Sequence, residues 1–223
     1  MTILGLEFSA PQRSVAVLQC VAAAAGTVTE VIETSHRNTM QPLAMVAEAL
    51  RQAGLEREQV DGIAVGLGPG SYTGIRAAIS LAQGWQLACE IHLLGVSTAE
   101  AVAVGAAGEG LSGAVSVVID AQRGEYYLAG YELGAAGARQ IAPLRLASAA
   151  EVQARADAGD ALIGPEVTRW FPTGRLVFPR AATIARIASQ RTDFLPGEKL
   201  EPIYLRETTF VKAPPPRVIP PLR

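Results

Sequence analysis

The sequence has 223 residues, 49% of them hydrophobic and 5% aromatic, so one large domain or two small ones can bury a core of small aliphatic side chains. Its 19 basic and 21 acidic side chains give a formal net charge of −2, which argues against broad nucleic-acid binding by this chain alone. Cys20 and Cys89 are its two cysteines, a usage typical of reduced thiols and not of a disulfide framework.

The N-terminal sequence MTILGLEF lacks the basic region of a signal peptide. The apolar run at residues 15–25 is too short to span a bilayer. We therefore expect a cytoplasmic protein with no membrane segment.

The first elements predict an antiparallel meander. Residues 3–8 form an apolar strand that carries an acid near its end, Glu7. Residues 14–21 and 27–34 have the composition and alternation of two further strands.

A helix is predicted next, because Pro42 suits a first helical turn and Gly54 suits a helix end. Between them, apolar residues recur with the i, i+3, i+4, i+7 spacing of one helix face: Leu43, Val46, Ala47 and Leu50.

The most distinctive stretch is residues 60–89, VDGIAVGLGPGSYTGIRAAISLAQGWQLAC. It predicts a buried strand, a glycine turn and a helix over residues 75–89 whose one charge is Arg76. Ser71 is predicted to cap this helix in preference to acting as a nucleophile, because no G-x-S-x-G setting surrounds it. The turn matches neither a Walker loop nor a dinucleotide fingerprint. We take as the motif loop Gly68, Pro69, Gly70, Ser71, Tyr72, Thr73 and Gly74.

A strand at residues 91–96 and a helix capped by Ser97 or Thr98 complete the first half, and a glycine- and alanine-rich link at residues 105–113 ends it. The second half repeats the beginning of the first: residues 115–119 form an apolar strand that ends in an acid, Asp120, and a turn and a strand come next. This repeat suggests a duplication. We expect a half at residues 1–108, a smaller half at 109–206 and a proline-rich tail at 207–223.

The candidates for chemistry are few. His36 and His92 are the two histidines, and they form no H-x-x-x-H pair. Glu7 and Asp120 each follow an apolar strand, so they can face each other across a cleft and hold Mg²⁺ through water. The alternative, that turn amides satisfy both acids, has equal weight.

Four segments together resemble the bacterial TsaB (YeaZ) family: GLGPGSYTGIRAAISLAQG, LLGVSTAEAVA, VVIDAQRGEYYLAGYEL and EPIYLR. The resemblance covers residues 2–206. It implies an α/β fold of two duplicated ribonuclease-H-like halves, with mixed sheets and flanking helices, as in actin, Hsp70 and the sugar-kinase ATPases.

The resemblance also implies a function. Such a chain is a non-catalytic partner of the transferase TsaD, acting with the ATPase TsaE in N6-threonylcarbamoylation of adenosine 37 in tRNAs that read ANN codons. It contacts tRNA through the complex, forms a homodimer when TsaD is absent, and has no cofactor of its own, although Mg-ATP or ADP can lie at complex interfaces. The catalytic relatives carry an H-x-x-x-H motif at the place where this chain has residues 36–42, which contain no such pair. Many relatives also carry a histidine where this chain has Asn38.

The two predicted helices carry more apolar surface than one sheet can cover, and the resemblance implies that they bundle with the same two helices of a partner. The predicted interface consists of Leu43, Val46, Ala47, Leu50, Ile75, Ala78, Ile79, Ala82 and Trp85. A second face of the later helix carries Ala77, Leu81, Gly84 and Ala88.

Two other functions stay open, since a fold does not define a function. One is an independent Mg-ATP-binding phosphotransferase or ATPase of the sugar-kinase type. The other is a glycoprotease-like metallopeptidase, which the missing metal ligands make the weakest of the three.

Overall fold

A computed structural model describes residues 1–21, 24–34 and 41–206 of the chain. Two five-stranded sheets form its frame, and five helices flank them. The first sheet contains β1 (Thr2–Glu7), β2 (Gln12–Val21), β3 (Ala24–Thr34), β4 (Gly62–Gly66) and β5 (His92–Val96). The second contains β6 (Gly113–Asp120), β7 (Glu125–Gly134), β8 (Gly137–Ser148), β9 (Ala161–Gly164) and β10 (Arg175–Leu176). The helices are α1 (Pro42–Ala53), α2 (Tyr72–Ala88), α3 (Thr98–Gly108), α4 (Ala149–Asp157) and α5 (Ala181–Ser189).

The two sheets have the same topology. The first has the order β3-β2-β1-β4-β5, with an antiparallel meander on one side and two strands parallel to β1 on the other. In the second, the order β8-β7-β6-β9-β10 repeats this arrangement strand for strand. The duplicated α/β fold predicted from the sequence is therefore confirmed.

Helices α1 and α2 cover one face of the first sheet, and their ends match the predicted signals. Pro42 stands at the start of α1, and Gly54 ends it in the left-handed conformation, with φ +67°. The Ser71 hydroxyl accepts a hydrogen bond from the Gly74 amide, so α2 begins at Tyr72, three residues before the predicted start. The largest apolar cluster of the chain lies between these helices and the strands.

The last helix of each half packs on the opposite sheet. Helix α3, from the first half, packs on β6, β7 and β8, and α5, from the second half, packs on β1, β2 and β4. With the chain divided as predicted, at residues 1–108 and 109–206, each half thus contributes one helix that packs on the sheet of the other half. The tail at 207–223 and the segment with His36 and Asn38 lie outside the described residues.

The predicted link at residues 105–113 is shorter in the structure, because α3 continues to Gly108. Alanines of α3 pack against the second sheet, and two of them, Ala103 and Ala106, are fully buried. The glycine and alanine content that suggested a loop is instead what allows this helix to pack closely.

Two glycines of α2 provide a test of how closely that helix packs on the first half of the chain. A Cβ on Gly74 would overlap the Phe8 carbonyl oxygen, which is backbone, whereas a Cβ on Gly84 would meet nothing within 4 Å. We expect Gly74→Ala to lower the free energy of unfolding by about 1–3 kcal/mol. The matched control Gly84→Ala should raise it by about 0.4–1 kcal/mol, because alanine loses less backbone entropy on folding. Thermal melting of both variants checks this, and equal melting temperatures would contradict it.

Candidate functional site

The motif loop, residues 68–74, joins β4 to α2 and lies against the turn after β1. The Ser71 amide donates to the Ser9 carbonyl oxygen at 2.7 Å. Gly70 has φ +149°, and a Cβ at this position would overlap the same carbonyl. Because glycine is needed here for close approach, the loop holds the start of α2 directly on the first half's β1–β2 turn.

Glu7 lies beneath this loop and is fully buried. Its Oε1 accepts a hydrogen bond from the Ser9 amide at 2.7 Å, and the Thr98 hydroxyl oxygen lies 3.2 Å from Oε2. A Cβ on Gly66 would overlap the carboxylate, so the packing above it is tight. Burial raises the pKa of Glu7, and the hydrogen bonds to Ser9 and Thr98 oppose the shift only in part.

A cleft of about 490 Å³ separates the two halves, and Asp120 lines it. The Asp120 carboxylate accepts two hydrogen bonds from Gln122, from the backbone amide at 2.8 Å and from the side-chain amide at 2.7 Å. Glu7 is absent from the cleft wall because it is buried, so the structure does not bring the two predicted acids face to face. Asp120 thus matches the alternative in which turn amides satisfy the acid.

Arg13, at the start of β2, also lines the cleft. Its Nε and Nη1 atoms are buried and have no hydrogen-bond partner in the described part of the chain. On the opposite wall, Gln122 has a φ of 63°, and its neighbour Arg123, outside the cleft lining, has a φ of 61°. Non-glycine residues rarely adopt this conformation.

Within residues 1–21, 24–34 and 41–206, no group of three or more histidine, cysteine, aspartate or glutamate side chains is placed to hold a metal ion. Over the same residues, no helix has the length and apolar character needed to cross a membrane.

A groove of about 750 Å³ lies on the outer side of α1 and α2. Leu43 is 73% exposed, and the Trp85 and Leu81 side chains are half-buried within the groove. Contiguous apolar surface of this kind marks an interaction site more often than a free surface. The groove is lined by Leu43, Val46, Ala47, Leu50, Arg57, Glu58, Ser80, Leu81, Gly84, Trp85, Ala88 and Cys89.

The predicted interface residues are divided between this groove and the core. Leu43, Ala47 and Trp85 line the groove, and Val46 and Leu50 form its floor while also belonging to the core. The α2 residues Ile75, Ala78, Ile79 and Ala82 are at most 5% exposed and pack on the sheet. The structure therefore buries the first face of α2 in the core, apart from Trp85, and the outward face is the second one, with Ala77, Leu81, Gly84 and Ala88.

Two features of the site are not predicted from the sequence. Arg13 lies between the first two predicted strands, and only its burial without an acceptor in the described part of the chain distinguishes it. Tyr204 stacks on Tyr72 with ring centroids 5.6 Å apart, although 132 positions separate them (204 − 72). Three of the four family segments contain tyrosine, but this recurrence does not indicate which of the rings are in contact.

The structure defines a class: a duplicated, two-sheet α/β protein with a cleft between its halves and an apolar groove on one flank. The family model described as "TsaD: tRNA N6-adenosine threonylcarbamoyltransferase" matches residues 13–195. The chain belongs to this family, and within it to the TsaB (YeaZ) group, as the relatives of those names support.

The Escherichia coli K12 "tRNA threonylcarbamoyladenosine biosynthesis protein TsaB" is 39% identical over 108 residues, 48% of this chain and 47% of that protein. An uncharacterised Mycobacterium tuberculosis protein is 32% identical over 164 residues, 72% of this chain and 71% of its own length. The solved structure "YeaZ from Pseudomonas aeruginosa" is 29% identical, with a TM-score of 0.76 over 92% of this chain and 99% of that one. The match spans about half of the curated TsaB proteins, 47% in E. coli and 52% in Haemophilus influenzae.

The environment of Glu7 generates a pH-dependent prediction. Because its pKa in the folded state is raised above the ordinary 4.5, its contribution to stability is complete below that value and is lost as pH rises through the folded pKa. Glu7→Gln keeps the acceptor for the Ser9 amide without the charge. We expect this variant to be more stable than the parent at neutral pH and to lose that advantage as pH falls towards 4.5 and below.

Urea unfolding of both proteins at several pH values measures the difference. Glu90→Gln, at an exposed position, is the control and should show no such trend. A Glu7→Gln variant that is less stable than the parent at every pH would contradict the prediction.

Proposed function

We propose that this chain is a non-catalytic partner subunit in the N6-threonylcarbamoylation of adenosine 37 in tRNAs that read ANN codons, and that it pairs with a TsaD-type transferase. The main support is its likeness to YeaZ along nearly the whole of that structure, together with an apolar groove that the described residues leave open. The TsaB relatives are named as tRNA threonylcarbamoyladenosine biosynthesis proteins, which agrees with this role.

The groove on α1 and α2 is the surface we assign to the partner. Its walls combine large exposed side chains, such as Leu43, with positions where another helix can approach closely, such as Gly84 and Ala88. Burial of such a surface against a second helix pair would remove apolar area from water. We infer that a second copy of this chain occupies the groove when the transferase is absent, in an isologous contact.

The non-catalytic part of the proposal is supported by the sequence. The two histidines of the chain, His36 and His92, cannot form the H-x-x-x-H pair that the resemblance associates with the catalytic relatives. We further infer a cytoplasmic location, TsaE as a third member of the complex, contact with tRNA through the assembled complex, and nucleotide binding at complex interfaces only.

The function is tested by depleting this chain in its own host and quantifying threonylcarbamoyladenosine in bulk tRNA by mass spectrometry. We expect the modification to disappear and to return when the gene is restored. The purified chain alone should transfer no threonylcarbamoyl group and show no Mg-ATP binding by calorimetry. Normal modification after depletion, or turnover by the chain without a partner, would contradict the proposal.

The interface has its own test, Gly84→Arg. Position 84 lines the groove, and nothing lies within 4 Å of a Cβ placed there, so the variant should fold. An unpaired charge buried by the partner costs several kcal/mol, so we expect affinity for the transferase to fall by about 100-fold or more. Calorimetric titration measures the affinity, and circular dichroism checks the fold.

Leu87→Arg is the matched control, because Leu87 is 91% exposed on the same helix but does not line the groove. It should bind as the parent does. Ala82→Arg should unfold the monomer, because Ala82 is fully buried in the core. A Gly84→Arg variant that keeps full affinity would place the interface elsewhere.

A further inference from the structure

An exposed cluster of two tyrosines and one arginine lies at the start of α2. Tyr72 and Tyr204 are 58% and 48% exposed, and their rings stack with an interplanar angle of 27°. The Arg76 guanidinium lies 5.2 Å from the centre of the Tyr72 ring, and its Nη1 donates to the Tyr72 hydroxyl at 3.1 Å. We call Tyr72, Arg76 and Tyr204 the tyrosine platform.

The charge of Arg76 has no counterion in the described part of the chain. No carboxylate there lies within 4.0 Å of it, whereas most of the other arginines that contact a side chain pair with an acid. Burial raises the pKa of Tyr204, and the nearby Arg76 opposes this shift only in part. The guanidinium thus holds the Tyr72 ring, on which Tyr204 stacks, and keeps a positive charge available at the edge of the pair.

These three side chains suit one kind of ligand. A single-stranded nucleotide offers a flat π-system that stacks on an aromatic ring and a phosphate that complements an arginine. An apolar helix fits the platform less well, because the phenol hydroxyls and the guanidinium would lose their water without acceptors.

We propose that the tyrosine platform stacks an unpaired base of an RNA and that Arg76 contacts the adjoining phosphate. The choice of tRNA as that RNA rests on the proposed function. A single-base contact is compatible with a net charge of −2, because the remaining electrostatic attraction can come from the partner protein.

The platform is separate from the groove. Tyr72 and Gly84 are 12 positions apart on α2, which at about 1.5 Å per residue is roughly 18 Å along the helix axis. Tyr72 also lines the mouth of the cleft between the halves. RNA on the platform and a transferase in the groove can therefore be bound at the same time.

Photocrosslinking provides the first test. The assembled complex of this chain and its transferase is irradiated with tRNA under short-wavelength ultraviolet light, and adducts are mapped by mass spectrometry. We expect a nucleotide on the peptide that holds Tyr72 or Tyr204. Phe194, which is 37% exposed and stacks on His92, is the internal control and should carry none. Adducts confined to other peptides would overturn the proposal.

Affinity measurements provide the second test. Fluorescence anisotropy with labelled tRNA should show binding weakened by about 5- to 150-fold in Tyr72→Ala, because one base stack is lost. Tyr72→Phe keeps the ring and loses the hydroxyl that accepts from Arg76, so it should bind more tightly than Tyr72→Ala. The control Phe194→Ala should bind as the parent does. Arg76→Gln should weaken binding and flatten its salt dependence.

The two proposals fail in distinguishable ways. Platform variants that assemble with the transferase and bind tRNA with parental affinity would overturn the platform and leave the proposed function intact. Variants that lose the transferase would show a protein contact there, which also overturns the platform. If depletion of the chain leaves tRNA modified, the function fails, and the platform is then judged by the same variants with a single-stranded oligoribonucleotide and the chain alone.

Discussion

The architecture depends on the direct contact between α5 and β1. A Cβ on Gly5 would overlap the Ala181 carbonyl oxygen, so the helix lies against strand backbone with no side chain between them. The Ala181 amide donates to the Ser14 hydroxyl at 2.8 Å, and Arg180 pairs with Glu30 of β3. Because α5 belongs to the second half of the chain, this contact places the second sheet relative to the first and thereby sets the shape of the cleft.

The elements that could be predicted from the sequence are those whose signals are local. The proline and glycine that bound α1 and the Ser71 cap of α2 are both found in the structure. The duplication was visible because each half begins with a strand that ends in an acid. The exchange of α3 and α5 was not visible, since no local pattern says which sheet a helix covers.

The site residues show the same division. The groove was predicted from the apolar excess of α1 and α2, but periodicity alone could not decide which of the two faces of α2 meets the sheet. Ser97 or Thr98 was predicted to cap α3. Ser97 stands at the cap position without a side-chain cap bond, and the Thr98 hydroxyl lies against Glu7, 91 positions away. The buried state of Glu7 and the stacking of Tyr72 on Tyr204 arise from contacts distant in sequence, which composition and spacing do not encode.

Val46 and Leu50 contribute to two parts of the structure, because they form the floor of the groove and also belong to the main core. With the partner in this groove, as proposed, a substitution at either position would alter recognition and the folding of the monomer together. The rim residues, such as Leu43 and Ala88, are exposed and do not belong to the core. On that proposal, substitutions at the rim can change partner specificity alone, whereas the need to fold constrains the floor.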